Sequence, residues 1–97
     1  MVIVAATIEL DLPGVASLKE KRSILKSLIA RLHNTFNIAV AEVALHDAWQ
    51  SATLGVAIVS TQAGHAEAVL ENALRWIERN RPDVEIIDHT LEVIHIN

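Results

Sequence analysis

Val2, Val4, Ala6, Ile8 and Leu10 alternate with Ile3, Ala5, Thr7, Glu9 and Asp11 along the start of the chain. A period of two with one more apolar face predicts a strand. Pro13-Gly14 ends it, because proline cannot pair in a ladder and glycine permits the turn. The period then becomes helical. From Ser17 to Asn34, Leu18, Leu25, Leu28, Ile29 and Leu32 share one stripe, with Ile24 at its margin. Ser17 followed three residues later by Glu20 is the signature of a capping box at the helix start.

Phe36 to Ala44 reads as a second strand with Phe36, Ile38 and Val40 facing inward, and Leu45-His46-Asp47-Ala48 as a polar connection. A third strand is expected from Trp49 to Val59, with Leu54, Val56 and Ile58 on its core face. Ser60 or Thr61 can cap a second helix reaching Arg79, whose stripe is Ala66, Val69, Leu70, Ala73, Leu74 and Ile77. Asn80 to Asp83 stops that helix. Val84 to Ile96 is the fourth strand, and its irregular alternation around Asp88-His89 predicts a bulge or a change of partner.

The order β-α-β-β-α-β, joined by right-handed crossovers, predicts a ferredoxin-like split-βαβ sandwich in the α+β class. Residues 1–97 form one domain, with both helices on one face of a four-stranded antiparallel sheet ordered 4-1-3-2. The other sheet face then carries small residues, among them Ala5, Ala41, Gly55 and Ala57. These four are the candidate interface for a second copy, in a homo-oligomer or with another protein. RNA-recognition motifs stack bases on aromatics at that face. Here the only aromatics are Phe36, Trp49 and Trp76, none of them on it. Trp76 reads as a core-margin residue and Trp49 as an anchor for the hairpin.

Composition adds charge asymmetry to this picture. The net charge is −4, yet residues 17–34 hold five of the eight Lys and Arg residues and one of the twelve acidic ones. Lys19, Arg22 and Lys26 recur at i, i+3 and i+7 along one helix flank. A polyanion would meet only this local patch, with Lys19, Lys21, Arg22 and Lys26 as phosphate contacts and Arg31 on another side. Lys21 points toward the apolar stripe, so its stem is expected over the core and its ammonium in solvent. Cysteine is absent and no apolar run is long enough for a membrane span, which fits a cytoplasmic protein without membrane contact. Val2 to Ala6 is too short and lacks the basic flank of a signal peptide.

Catalytic and metal-binding signatures are missing. The five histidines show no ligand spacing; His89 and His95, six residues apart on one strand, are about 20 Å distant. His46-Asp47 lies near Glu42 without a recognised pattern. Neither a nucleophile elbow nor a P-loop occurs. Glu9 and Glu42 are the one carboxylate pair worth considering, and both read as solvated. No catalytic residue, metal or cofactor is assigned, and the chain reads as a non-enzyme.

Pro13 to Arg22 (P-G-V-A-S-L-K-E-K-R), Phe36 to Val43 (F-N-I-A-V-A-E-V) and Asp47 to Ala57 (D-A-W-Q-S-A-T-L-G-V-A) resemble the YlxP-like family, a domain of unknown function. The resemblance implies a small bacterial cytoplasmic protein with a ferredoxin-like fold. It also implies genes close to those for translation initiation and ribosome maturation, and so an association with ribosomal RNA or the translation machinery. Relatives often carry a basic residue where this chain has Ser51, and another near Thr35. The alternative to an RNA- or ribosome-associated accessory protein is a regulatory module of ACT-like type, since Asp11 to Gly14 resembles the strand-to-helix turn of those amino-acid-binding domains. An adaptor using the bare sheet face is the third reading.

Overall fold

In the computed structural model, which describes all 97 residues, the alternating start of the chain becomes β1 (Val2–Asp11) at the centre of the sheet. Its even-numbered residues are buried and its odd-numbered ones half-buried. Beyond it, Gly14 takes φ +77° while Leu12 and Val15 turn back into the core. The first connection is therefore packed down.

Helix α1 (Leu18–Thr35) starts at Ser17, whose Oγ accepts the Glu20 amide at 3.1 Å. Glu20 Oε2 in turn accepts the amide of Ala16 at 3.1 Å, so the capping box closes one residue earlier than its standard form. Leu25, Leu28 and Leu32 are buried, with Ile24 and Ile29 packed at the margins. The helix ends where the Phe36 amide bonds to the Leu32 carbonyl.

Strand β2 (Ala39–Ala44) is shorter than the expected Phe36–Ala44. Phe36 still belongs to the helix end, and it and Ile38 reach the core from the connection. Strand β3 (Ser51–Ser60) begins two residues after Trp49, because Leu45 to Gln50 are taken up by the turn. Helix α2 (Ala63–Asn80) is capped by neither Ser60 nor Thr61. Gln62 holds the N-cap position without a side-chain bond, while Ser60 Oγ accepts the Gln62 amide. Strand β4 (Glu85–His95) closes the chain, and the ends are pinned by the Met1 ammonium donating to the Ile96 carbonyl at 2.8 Å.

The sheet order is β2-β3-β1-β4, all antiparallel, with both helices on one face: a ferredoxin-like fold. The irregularity in β4 is real. Glu9 faces Asp88 while Leu10 faces Ile86, leaving Ile87 as the extra, exposed residue of a bulge. A second bulge lies in β2 at Val43, between Glu42 opposite Leu54 and Ala44 opposite Thr53.

The two sheet edges differ. On β2, His33 Nε2 of α1 accepts the Val40 amide at 3.3 Å, and the Val43 bulge distorts the rest. On β4, eleven residues carry exposed Ile87, Leu91 and Ile94 and contain no proline or lysine. β2 is thus obstructed along most of its six residues, whereas β4 is interrupted near one end, by the Ile87 bulge and the Asp88 carboxylate on the His89 amide, and pairs regularly from Thr90 to His95.

Candidate nucleic-acid interface

The basic residues of α1 separate into three environments. Lys19, Arg22 and Lys26 are exposed along one flank, and none has a carboxylate within ion-pair distance. Arg31 sits on the opposite flank, its guanidinium 5.4 Å from the centre of the Trp76 ring on α2. That places a cation over an aromatic face and ties the two helices together. Trp76 itself is packed at the core margin, in agreement with the sequence.

Lys21 departs from expectation and leaves the candidate site. It is 1% exposed and is the largest of the fully buried side chains. Its ammonium donates to the carbonyls of Leu45 (2.6 Å) and Ala48 (2.7 Å), both in the β2–β3 turn. Glu42 Oε2 lies 2.9 Å away, close enough for an ion pair but receiving no directed hydrogen bond. Buried in this way, the ammonium cannot reach a phosphate in solvent.

The local sequence explains this arrangement. Lys21 precedes Leu25 by four and Leu28 by seven, so it shares their inward stripe. Glu42 continues the inward alternation of Val40, facing the helices opposite Leu54. Opposite charges at two inward positions were the available signal. Glu42 is consequently not paired with Glu9, which lies on the other sheet face and accepts the Thr53 hydroxyl at 2.9 Å.

The clasped turn holds Leu45 at φ +63°, a left-handed conformation that costs a branched residue roughly 1–2 kcal/mol. The same turn is tied to the first connection. The Leu12 amide donates to the Gln50 carbonyl at 2.9 Å, and Gln50 Nε2 donates to the Val15 carbonyl at 3.1 Å. Trp49 stands between Ala48 and Gln50, two residues fixed from opposite sides. It is 53% exposed, its indole N–H is unbonded, and it does not reach the core. It does not anchor the hairpin; Lys21 does.

Ala5, Ala41, Gly55 and Ala57 do come together on the helix-free sheet face. They line a shallow apolar trough of about 400 Å³ with Ala39, Val43 and Thr7. Val43 lies over Gly55, where a Cβ would stand 2.7 Å from Val43 Cγ1 and require that side chain to shift. The trough has no lysine or arginine; Glu9 and Asp88 face each other beside it.

Near the end of α2, Arg81 forms a two-bond pair with Asp83 (3.0 and 2.7 Å) and reaches Ser27 Oγ of α1 at 3.1 Å. The hydrogen bonds from Arg81 hold the Asp83 carboxyl below its usual range, and those to Asp83 raise Arg81. No group of three or more His, Asp or Glu side chains is placed to hold a metal ion. No helix is long and apolar enough to cross a membrane.

Comparison with known proteins agrees with the architecture. A de novo designed protein with ferredoxin fold, solved in solution, superimposes with a TM-score of 0.56 at 12% identity, over 97% of this chain and 84% of the design. That likeness concerns the fold alone. An uncharacterised protein of Bacillus subtilis (strain 168), YlxP, is 38% identical over 69 residues, covering 71% of this chain and 74% of the relative. Residues 3–91 match the family described as "Protein of unknown function (DUF503)". With nearly all of its sheet and both helices inside that match, the chain belongs to the DUF503, YlxP-like family.

Proposed function

We propose that the protein is a non-enzymatic accessory protein that binds the phosphate backbone of RNA through the outer flank of α1. One observation carries this reading. Lys19, Arg22 and Lys26 are exposed and without a carboxylate partner, in a chain whose remaining surface is acidic. A polyanion is steered to this flank and repelled elsewhere. The resemblance to YlxP-like proteins points to ribosomal RNA or the translation machinery as its source.

Three phosphate contacts give weak binding, with log K falling by about 3 for each tenfold rise in salt on a duplex. Co-sedimentation with ribosomal subunits and with purified RNA across a salt series measures that slope. Replacing Lys19, Arg22 and Lys26 together by Ala should keep the fold, because alanine is a good helix former and all three side chains face water. The variant should lose both the pelleting and its salt dependence. Unchanged pelleting with an intact fold would make the row an ordinary solvated helix face.

A further inference from the structure

We infer that Trp49 is a stacking platform for an unpaired RNA base, with a flanking phosphate held by Arg22. The inference rests on the RNA reading above and specifies which RNA that site takes. Three features carry it. The indole is half-exposed and presents a large aromatic surface to solvent. Its backbone is fixed on both sides, by Lys21 at the Ala48 carbonyl and by the Leu12 amide at the Gln50 carbonyl. Little freedom is then lost when a ligand stacks on it. The third feature is proximity: Arg22 is the chain neighbour of Lys21, whose ammonium holds the residue before Trp49. Bond lengths place the Trp49 and Arg22 Cα atoms within roughly 15 Å of each other, a span that a short looped strand covers.

Charge sorts the contacts within this patch. Asp47 lies exposed in the same turn, so a phosphate directly over the turn is disfavoured. Phosphates are left to α1 and the uncharged base to the indole. Aromatic stacking is open only to bases that are out of a helix, since a paired RNA presents its backbone and a shallow groove. The predicted ligand is therefore a loop, bulge or single-stranded end beside a duplex, rather than duplex alone.

The test uses two labelled RNAs, a stem-loop with a uridine loop and a blunt duplex of the same stem, titrated at one low salt concentration. The wild type should prefer the stem-loop by roughly 5- to 100-fold, and stacking should quench tryptophan emission. Trp49→Ala should bind both RNAs within about twofold of each other and match the wild type on the duplex. Trp49→Phe should keep part of the preference and lose the quenching. Equal wild-type affinity for both RNAs, abolished by the α1 triple alanine variant, overturns the stacking inference and leaves the backbone-binding function standing. No wild-type affinity for either RNA overturns both. Trp49-dependent retention on ribosomal subunits without affinity for either free RNA would assign the patch to a protein partner, and overturns the inference as well.

Discussion

Replacing Lys21 by Met should destabilise the protein by about 3–4 kcal/mol at neutral pH. Methionine fills the space of the lysine stem but supplies no donor. Glu42, whose side chain is 19% exposed, is then left as a largely desolvated carboxylate with no counter-charge. Removing one partner of a buried ion pair generally costs about 3–5 kcal/mol, and the residual exposure of Glu42 places this case near the lower figure. The carbonyls of Leu45 and Ala48 lose charge-assisted bonds of 2.6 and 2.7 Å. Leu45 is itself half-exposed, so water can replace part of that loss and the addition is about 1 kcal/mol. Glu42→Gln should cost about 3 kcal/mol as well, because it leaves the 1% exposed Lys21 ammonium without a counter-charge while its two carbonyl bonds remain. The decisive variant removes both charges: Lys21→Met with Glu42→Leu should recover most of the loss, since an apolar replacement for a whole buried pair is often neutral. Urea unfolding followed by far-UV circular dichroism gives all three free energies, and amide exchange at Ala48 and Gln50 reports the turn. A Lys21→Met variant within 0.5 kcal/mol of wild type, or a double variant as unstable as the sum of the singles, would refute the clasp.

Ser17→Ala should cost about 1 kcal/mol through the lost cap, and Leu28→Ala roughly 2–5 kcal/mol as a cavity in the core; a near-neutral Leu28→Ala in the same urea assay would contradict the orientation of α1. If the small-residue trough is an interface between copies, Ala57→Arg should shift sedimentation toward monomer, and a strictly monomeric wild type at high micromolar concentration sinks that idea. Ala57 is the better probe than Gly55, where a side chain would also force Val43 to shift. Asp83→Asn should lose less than about 1 kcal/mol at pH 7, because the pair with Arg81 is partly exposed. The Asp83 carboxyl is depressed in the folded state, so its contribution is present above the ordinary carboxylate range and is lost as pH falls through the lower folded value. The stability difference between variant and wild type should accordingly vanish in acid, and a difference that persists there would count against the linkage.

Local signals identified the elements because the local and tertiary demands coincide. The stripe of α1, its Ser17 cap and the alternation of β1 all reappear in place, and the broken pattern of β4 marks a bulge one residue from where it was read. The errors fall where a residue serves something distant in sequence. Phe36 has the chemistry of a strand residue, yet its amide completes the last turn of α1. Lys21 belongs by type to the basic row, and only the register of β2 reveals Glu42 across from it. Its position opening the hairpin makes Trp49 look like the anchor, a task this lysine performs. An anchor made of a buried ammonium and two carbonyls leaves no trace in hydrophobic periodicity, which is why the exposed indole was misplaced.

The unequal sheet edges limit how this chain can assemble through its backbone. Strand addition at β2 would have to displace His33 from the Val40 amide and straighten the Val43 bulge, whereas β4, past its bulge at Ile87 and the Asp88-bonded His89 amide, offers a regular edge from Thr90 to His95. A subunit open at both edges can grow without end, each copy presenting a fresh edge to the next. A subunit open at one edge is exhausted by a single partner. Pairing of β4 with β4 about a two-fold axis would bury the only competent edge of each copy and stop at two. The histidine and the bulge on β2 thus act as a chain terminator, directing any sheet extension toward a closed pair and away from fibres.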